Sequence, residues 1–94
     1  DDPMPTVLVI DDEIQIRRLL RAALEGSGWR VVEADSGQLG ISEAALARPD
    51  VVILDLGLPD MDGIDVLRRI REWSRVPILI EERRVGKECR LTCR

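Results

Sequence analysis

The chain has 94 residues, of which 18 are acidic, 14 basic and none histidine, giving a formal net charge of −4 with 45% hydrophobic positions. One small domain with enough apolar residues for a core fits these figures. Serine–histidine and cysteine–histidine hydrolases and histidine-ligated zinc are excluded, and nucleic-acid binding by this piece is disfavoured for want of a positive footprint, which leaves carboxylates to carry any chemistry.

Val7–Ile10 is short, continuous and β-branched, which suits a strand buried on both faces. Asp12 is placed to cap the helix that follows. In that helix Ile16, Leu19, Leu20, Ala23 and Leu24 recur at three- and four-residue steps and predict one apolar stripe, with Arg17, Arg18 and Arg21 on the other side. Gly26-Ser27-Gly28 stops it. Trp29–Ala34 is more polar and alternating, the pattern of an edge strand.

Asp35-Ser36-Gly37 reads as a turn or cap, after which Leu39, Ile41, Ala44, Ala45 and Leu46 make a weaker helix that ends at Pro49. Val51–Leu54 is the strongest buried strand in the chain. Leu56–Gly63 is a loop, and Ile64–Trp73 a helix with Ile64, Leu67, Ile70 and Trp73 expected inward. Val76–Ile80 is a fourth strand with Pro77 near its start, where a missing N–H is tolerated. No run approaches the roughly 20 apolar residues of a membrane-spanning helix, and no basic-then-apolar leader is visible, so the expected location is the cytoplasm.

Strands alternating with helices imply right-handed crossovers and a parallel sheet covered on both faces. The expected fold is α/β, a flavodoxin-like doubly wound sheet in the order 2-1-3-4. Asp11 and Asp12 would then follow one buried strand and Asp55 its neighbour, at the carboxyl ends where such sheets bind ligands. One acid at a helix start is explained by capping and the helix dipole. A second acid beside it, with a third on the adjacent strand, points to a divalent cation that relieves their mutual repulsion. Magnesium suits such a site, because it is a hard ion that takes a couple of carboxylates and keeps its waters. The chemistry expected is attack by Asp55 on a phosphoryl group, forming an acyl phosphate.

Residues 81–94 differ in kind from what precedes them. They hold the only lysine, Lys87, and both cysteines, Cys89 and Cys93, whereas residues 1–80 use nine arginines and no lysine. The stretch Glu81–Cys89 resembles a translated sequencing-library adapter, so residues 4–80 are taken as the domain and 81–94 as a non-native tail, a sequencing or cloning artefact. Two cysteines make at most a disulfide or half a metal site, and the plainer reading is a pair of incidental thiols.

Val7-Leu8-Val9-Ile10-Asp11-Asp12-Glu13 and Val51-Val52-Ile53-Leu54-Asp55-Leu56-Gly57-Leu58-Pro59-Asp60-Met61-Asp62-Gly63 resemble the receiver domains of two-component response regulators. Within that family the chain looks like the OmpR class. The resemblance implies that Asp55 is the phosphoacceptor and that Asp11 and Asp12 hold Mg2+ together with Asp55 and the Gly57 backbone carbonyl. It also implies that Pro59 and Gly63 shape the pocket. The phosphodonor would be a phosphohistidine on a sensor histidine kinase, with Ile14, Ile16 and Arg17 as docking candidates that also fit an ordinary core or solvated face. On this reading the chain is a substrate of its kinase, not an enzyme, and DNA is contacted by another part of the full-length parent.

Three departures stand against the family pattern. Glu81-Glu82 follows Ile80 where the family has a threonine or serine. Lys87, seven residues past Ile80, has no strand to place it at the family's lysine position. The chain also looks truncated, without the last helix-strand-helix of a receiver. It is therefore expected to be marginally stable or molten alone, with an exposed sheet edge. A competing expectation is a fragment or pseudo-receiver that no longer accepts phosphate and acts only as a binding module. A dehalogenase-like phosphatase is disfavoured because Gly57 stands where its second aspartate belongs, and nothing in the sequence specifies oligomeric state.

Overall fold

The computed structural model describes residues 4–81. Strands β1 (Thr6–Ile10), β2 (Arg30–Ala34), β3 (Val51–Asp55) and β4 (Ile78–Glu81) alternate with helices α1 (Ile14–Gly26), α2 (Gly37–Ala47) and α3 (Gly63–Arg71). All pairings are parallel, in the order β2-β1-β3-β4. This is the doubly wound α/β fold expected, with β2 at one edge. β4 begins after Pro77, whose carbonyl accepts from the Val52 N–H at 2.9 Å, so the proline joins the ladder through the group it retains. The strand runs through Glu81, one residue past the expected end of the domain. The remainder of the proposed tail, with Lys87, Cys89 and Cys93, lies outside the described residues.

Alternation along the strands sends side chains to two different cores. Leu8, Ile10, Ala34, Val52 and Leu54 face α2 and α3, where Ala44, Val66 and Ile70 complete a buried cluster. Val7, Val9 and Val31 face the other way, under Leu20, Leu24 and Trp29. α2 packs through small residues. A Cβ at Gly40 would stand 2.6 Å from Ile10 Cδ1, so the absence of a side chain lets the helix lie directly on β1. The apolar pattern of this helix misled in part: Leu46 is 79% exposed, and Gly37, Gly40 and Ala44 form the buried side. Ser36 caps α2 by accepting from the Leu39 N–H at 3.2 Å, and the helix ends as Arg48 turns left-handed ahead of Pro49.

Three further expectations are corrected. Helix α1 starts at Ile14, so its N-cap position falls on Glu13 instead of Asp12. Its apolar stripe is narrower than predicted: Leu19 and Ala23 are exposed, while Arg17 and Arg21 turn inward to Glu33 of β2. A carboxylate on β2 gives these two guanidiniums a partner on the side that the apolar period reserved for core. In α3 the inward residues are Val66 and Ile70, with Leu67 half-buried and Ile64 exposed; the helix ends at Arg71, short of the expected Trp73, which is exposed beyond it. The chain leaves α1 through Gly28, at φ 93°, a backbone conformation suited to glycine, as the Trp29 N–H returns to the Leu24 carbonyl at 3.0 Å.

Candidate functional site

The chain turns from β2 back across β1 to reach β3, so the strand order reverses between β1 and β3. Ile10 pairs with Leu54, and the residues that follow them, Asp11 and Asp55, emerge side by side at the carboxyl ends of the two strands. Asp11 is fully buried and Asp55 is 5% exposed, while Asp12 stands at the surface above them. Each of the three offers a carboxylate oxygen lying within 4.8 Å of the other two. The structure therefore brings together all three acids singled out from the sequence.

Each acid is held differently. The Asp11 N–H donates to the Ala34 carbonyl at 3.0 Å, and Asp11 Oδ1 accepts from the Glu13 N–H at 2.9 Å. Asp55 Oδ1 accepts from the Gly57 N–H at 3.3 Å, which places Gly57 against the phosphoacceptor candidate. The loop from Leu56 to Asp62 folds back at Gly63, where a Cβ would lie 2.6 Å from Leu56 Cα, so a side chain there would displace backbone. Pro59 is exposed on that loop. Glu81 ends β4 in register with Asp55.

The donor set suits a divalent cation. Three anionic oxygens so close together repel one another, and a small hard cation offsets that repulsion through oxygen ligands. Asp11, Asp12 and Asp55 would supply those ligands from side chains.

Two groups that support the site escaped sequence analysis. Asp60, on the loop after Asp55, accepts from the Gly37 and Gln38 N–H groups at 2.7 and 2.9 Å and so ties the loop to the start of α2. The Gly37 bond, seconded by that from Gln38, holds the Asp60 carboxyl below the usual carboxylate value. The second group is the Arg17–Glu33–Arg21 cluster beneath α1, with bonds of 2.9 and 2.7 Å to the two carboxylate oxygens. Its signal was present as two arginines four residues apart and an acid in a neighbouring strand. Of the docking candidates, Ile14 is half exposed and Ile16 half-buried, while the Arg17 guanidinium is engaged within the fold.

With this geometry the class is defined: residues 7–84 match the response regulator receiver domain, and the chain belongs to that family. Its sequence is 56% identical over 77 residues to the KDP operon transcriptional regulatory protein KdpE of Escherichia coli K12, taking in 82% of this chain and 34% of KdpE. It is 53% identical, over the same length and shares, to the transcriptional regulatory protein KdpE of Mycobacterium tuberculosis. Among solved structures, the chemotaxis protein CheY4 of Vibrio cholerae superimposes with a TM-score of 0.79 at 33% identity, covering 83% of this chain and 68% of CheY4. The chain thus spans about a third of the length of the curated transcriptional regulators it matches. Among the described residues, no helix is long and apolar enough to cross a membrane.

Proposed function

We propose that Asp55 accepts a phosphoryl group from a phosphohistidine of a sensor histidine kinase. The observation that carries this is the meeting of Asp11, Asp12 and Asp55 within 4.8 Å at the switch point of the sheet. A carboxylate oxygen of Asp55 attacks phosphorus, the phosphorus–nitrogen bond of the donor breaks, and the imidazole leaves with the electron pair. Gly57 steadies the attacking carboxylate through its N–H, and burial of Asp55 excludes bulk water from one side of the acyl phosphate. Asp11, Asp12, Asp55 and the Gly57 carbonyl would hold Mg2+, which when bound supplies charge neutralisation for the phosphoryl oxygens.

On this reading the protein is a phosphorylated switch and not an enzyme, working in the cytoplasm. The half-exposed Ile14 is the docking candidate that the fold leaves accessible to a kinase. By likeness to the transcriptional regulators it matches, its phosphorylation would govern DNA binding by another part of a longer parent.

A second reading, that of a pseudo-receiver that only binds, is favoured by one observation. Glu81, in register with Asp55, brings an acid to the end of β4, next to the position where the family's hydroxyl is expected. Added negative charge there opposes an incoming phosphoryl group.

Incubation with acetyl phosphate and Mg2+, followed by intact mass, separates the two readings. A single phosphate adduct that is lost in Asp55→Asn supports the phosphoacceptor. No adduct on the parent chain, under conditions where it is folded by circular dichroism, supports the pseudo-receiver.

A further inference from the structure

Arg17 lies on the inward side of α1 with its side chain 13% exposed, and it makes two bonds of different kinds. Its Nε donates to Glu33 Oε1 at 2.9 Å, and its Nη1 donates to the backbone carbonyl of Asp11 at 2.8 Å. That carbonyl belongs to the peptide joining Asp11 to Asp12. Because the peptide unit is planar, holding its oxygen fixes the direction in which the chain leaves Asp11 and hence the place of the Asp12 Cα. Asp11 is already tied through its own N–H and carboxylate, but Asp12 is exposed, and its position depends on this peptide.

Glu33 orients the guanidinium from the far side and is itself bonded by Arg21 Nε at 2.7 Å. Arg21 also donates to the Val31 carbonyl at 3.1 Å and to Glu25 at 3.0 Å. Arg21 thus shares the carboxylate with Arg17 and, in place of the Asp11 peptide, binds β2 and its own helix.

We propose that Arg17, oriented by Glu33, is a positioning residue that locks the Asp11–Asp12 peptide and thereby sets the spacing of the three acids for a divalent cation. This rests on the reading of those acids as a cation site. The fork of the guanidinium is essential, because one group must reach Glu33 and the Asp11 carbonyl together. A lysine keeps the charge without that planar pair of donors.

The test uses the full 94-residue chain with Mg2+ alone as ligand, reading its dissociation constant by calorimetry and the folding midpoint in urea. Arg17→Ala and Arg17→Lys are each expected to weaken Mg2+ binding by about 10-fold, the scale typical of residues that orient a metal ligand. Arg21→Ala is expected to lower the urea midpoint while changing Mg2+ affinity by less than about twofold, since it leaves the Asp11 peptide held. The Asp12 amide resonance should also move in metal-free Arg17→Lys and stay in place in Arg21→Ala. Wild-type affinity in Arg17→Lys overturns the fork, and equal losses in Arg17→Ala and Arg21→Ala reduce the cluster to a structural tie. Should neither Arg17 variant fold, Glu33→Gln decides: weakened Mg2+ binding supports the proposal and unchanged binding overturns it. If the unaltered chain fails to bind Mg2+ while folded, the cation-site reading itself falls, and this inference with it.

Discussion

On one face of the sheet, Leu8, Ile10, Val52 and Leu54 meet Ala44, Val66 and Ile70 with no exposure above a few per cent. On the other, the fully buried positions are Val7 and Val9 of β1, and α1 contributes no buried residue. There Leu19 is 65% exposed, and Leu79, which shares that face through its pairing with Ile53, is 59% exposed. Close packing carries the first face, with glycines admitting α2 onto β1. The second is held by fewer apolar contacts and by the Arg17–Glu33–Arg21 cluster. The acidic site sits at the ends of β1 and β3, the two central strands of the sheet. The site is thus supported by apolar packing from one side and by charge from the other.

The largest effect is expected on the packed face. Ile70→Ala removes a fully buried side chain and should lower stability by about 2–5 kcal/mol in urea titration, enough to unfold a marginal domain. Next comes Gly40→Ala. Its new Cβ would press on Ile10 Cδ1 at 2.6 Å and on Ile10 Cγ1 and Cγ2 at 2.9 Å. Overpacking of that kind costs about 1–3 kcal/mol, against about 1 kcal/mol gained in helix propensity. The net sign in urea should be destabilising, and a neutral result would show that α2 can lift from the sheet.

Asp60→Asn tests the polar tie on the same face. The Asp60 carboxyl is held below its ordinary value of 3.8 in the folded chain, so its stabilising contribution is present above that value. It is lost as pH falls through the lower folded value. The difference in urea midpoint between wild type and Asp60→Asn should therefore be full at pH 6 and fade in acid as the pH falls below 3.8. A pH-independent difference would assign the effect to geometry alone.

The smallest effect on stability belongs to the charge-held face. Leu79→Lys should change stability by no more than about 0.5 kcal/mol, while lowering self-association in light scattering, because charged residues blunt edge strands. A large loss of stability there would mean that Leu79 is covered and that the two faces are more alike than their exposures indicate.

The sequence by itself determined the order of strands and helices, the parallel sheet and the identity of the three clustered acids. Short β-branched runs and acids at their ends are local signals, and a chain of alternating strands and helices has few ways to wind. Tertiary structure decided which side chains those signals were serving. Helical periodicity placed Arg17 and Arg21 outside and Leu19 within, yet a single acid on β2, distant in sequence, drew both arginines inward. The same limit hid the roles of Gly40 and Asp60, whose partners lie on other elements. Periodicity registers how polar a position is, whereas burial and ion pairing depend on what the fold sets opposite it.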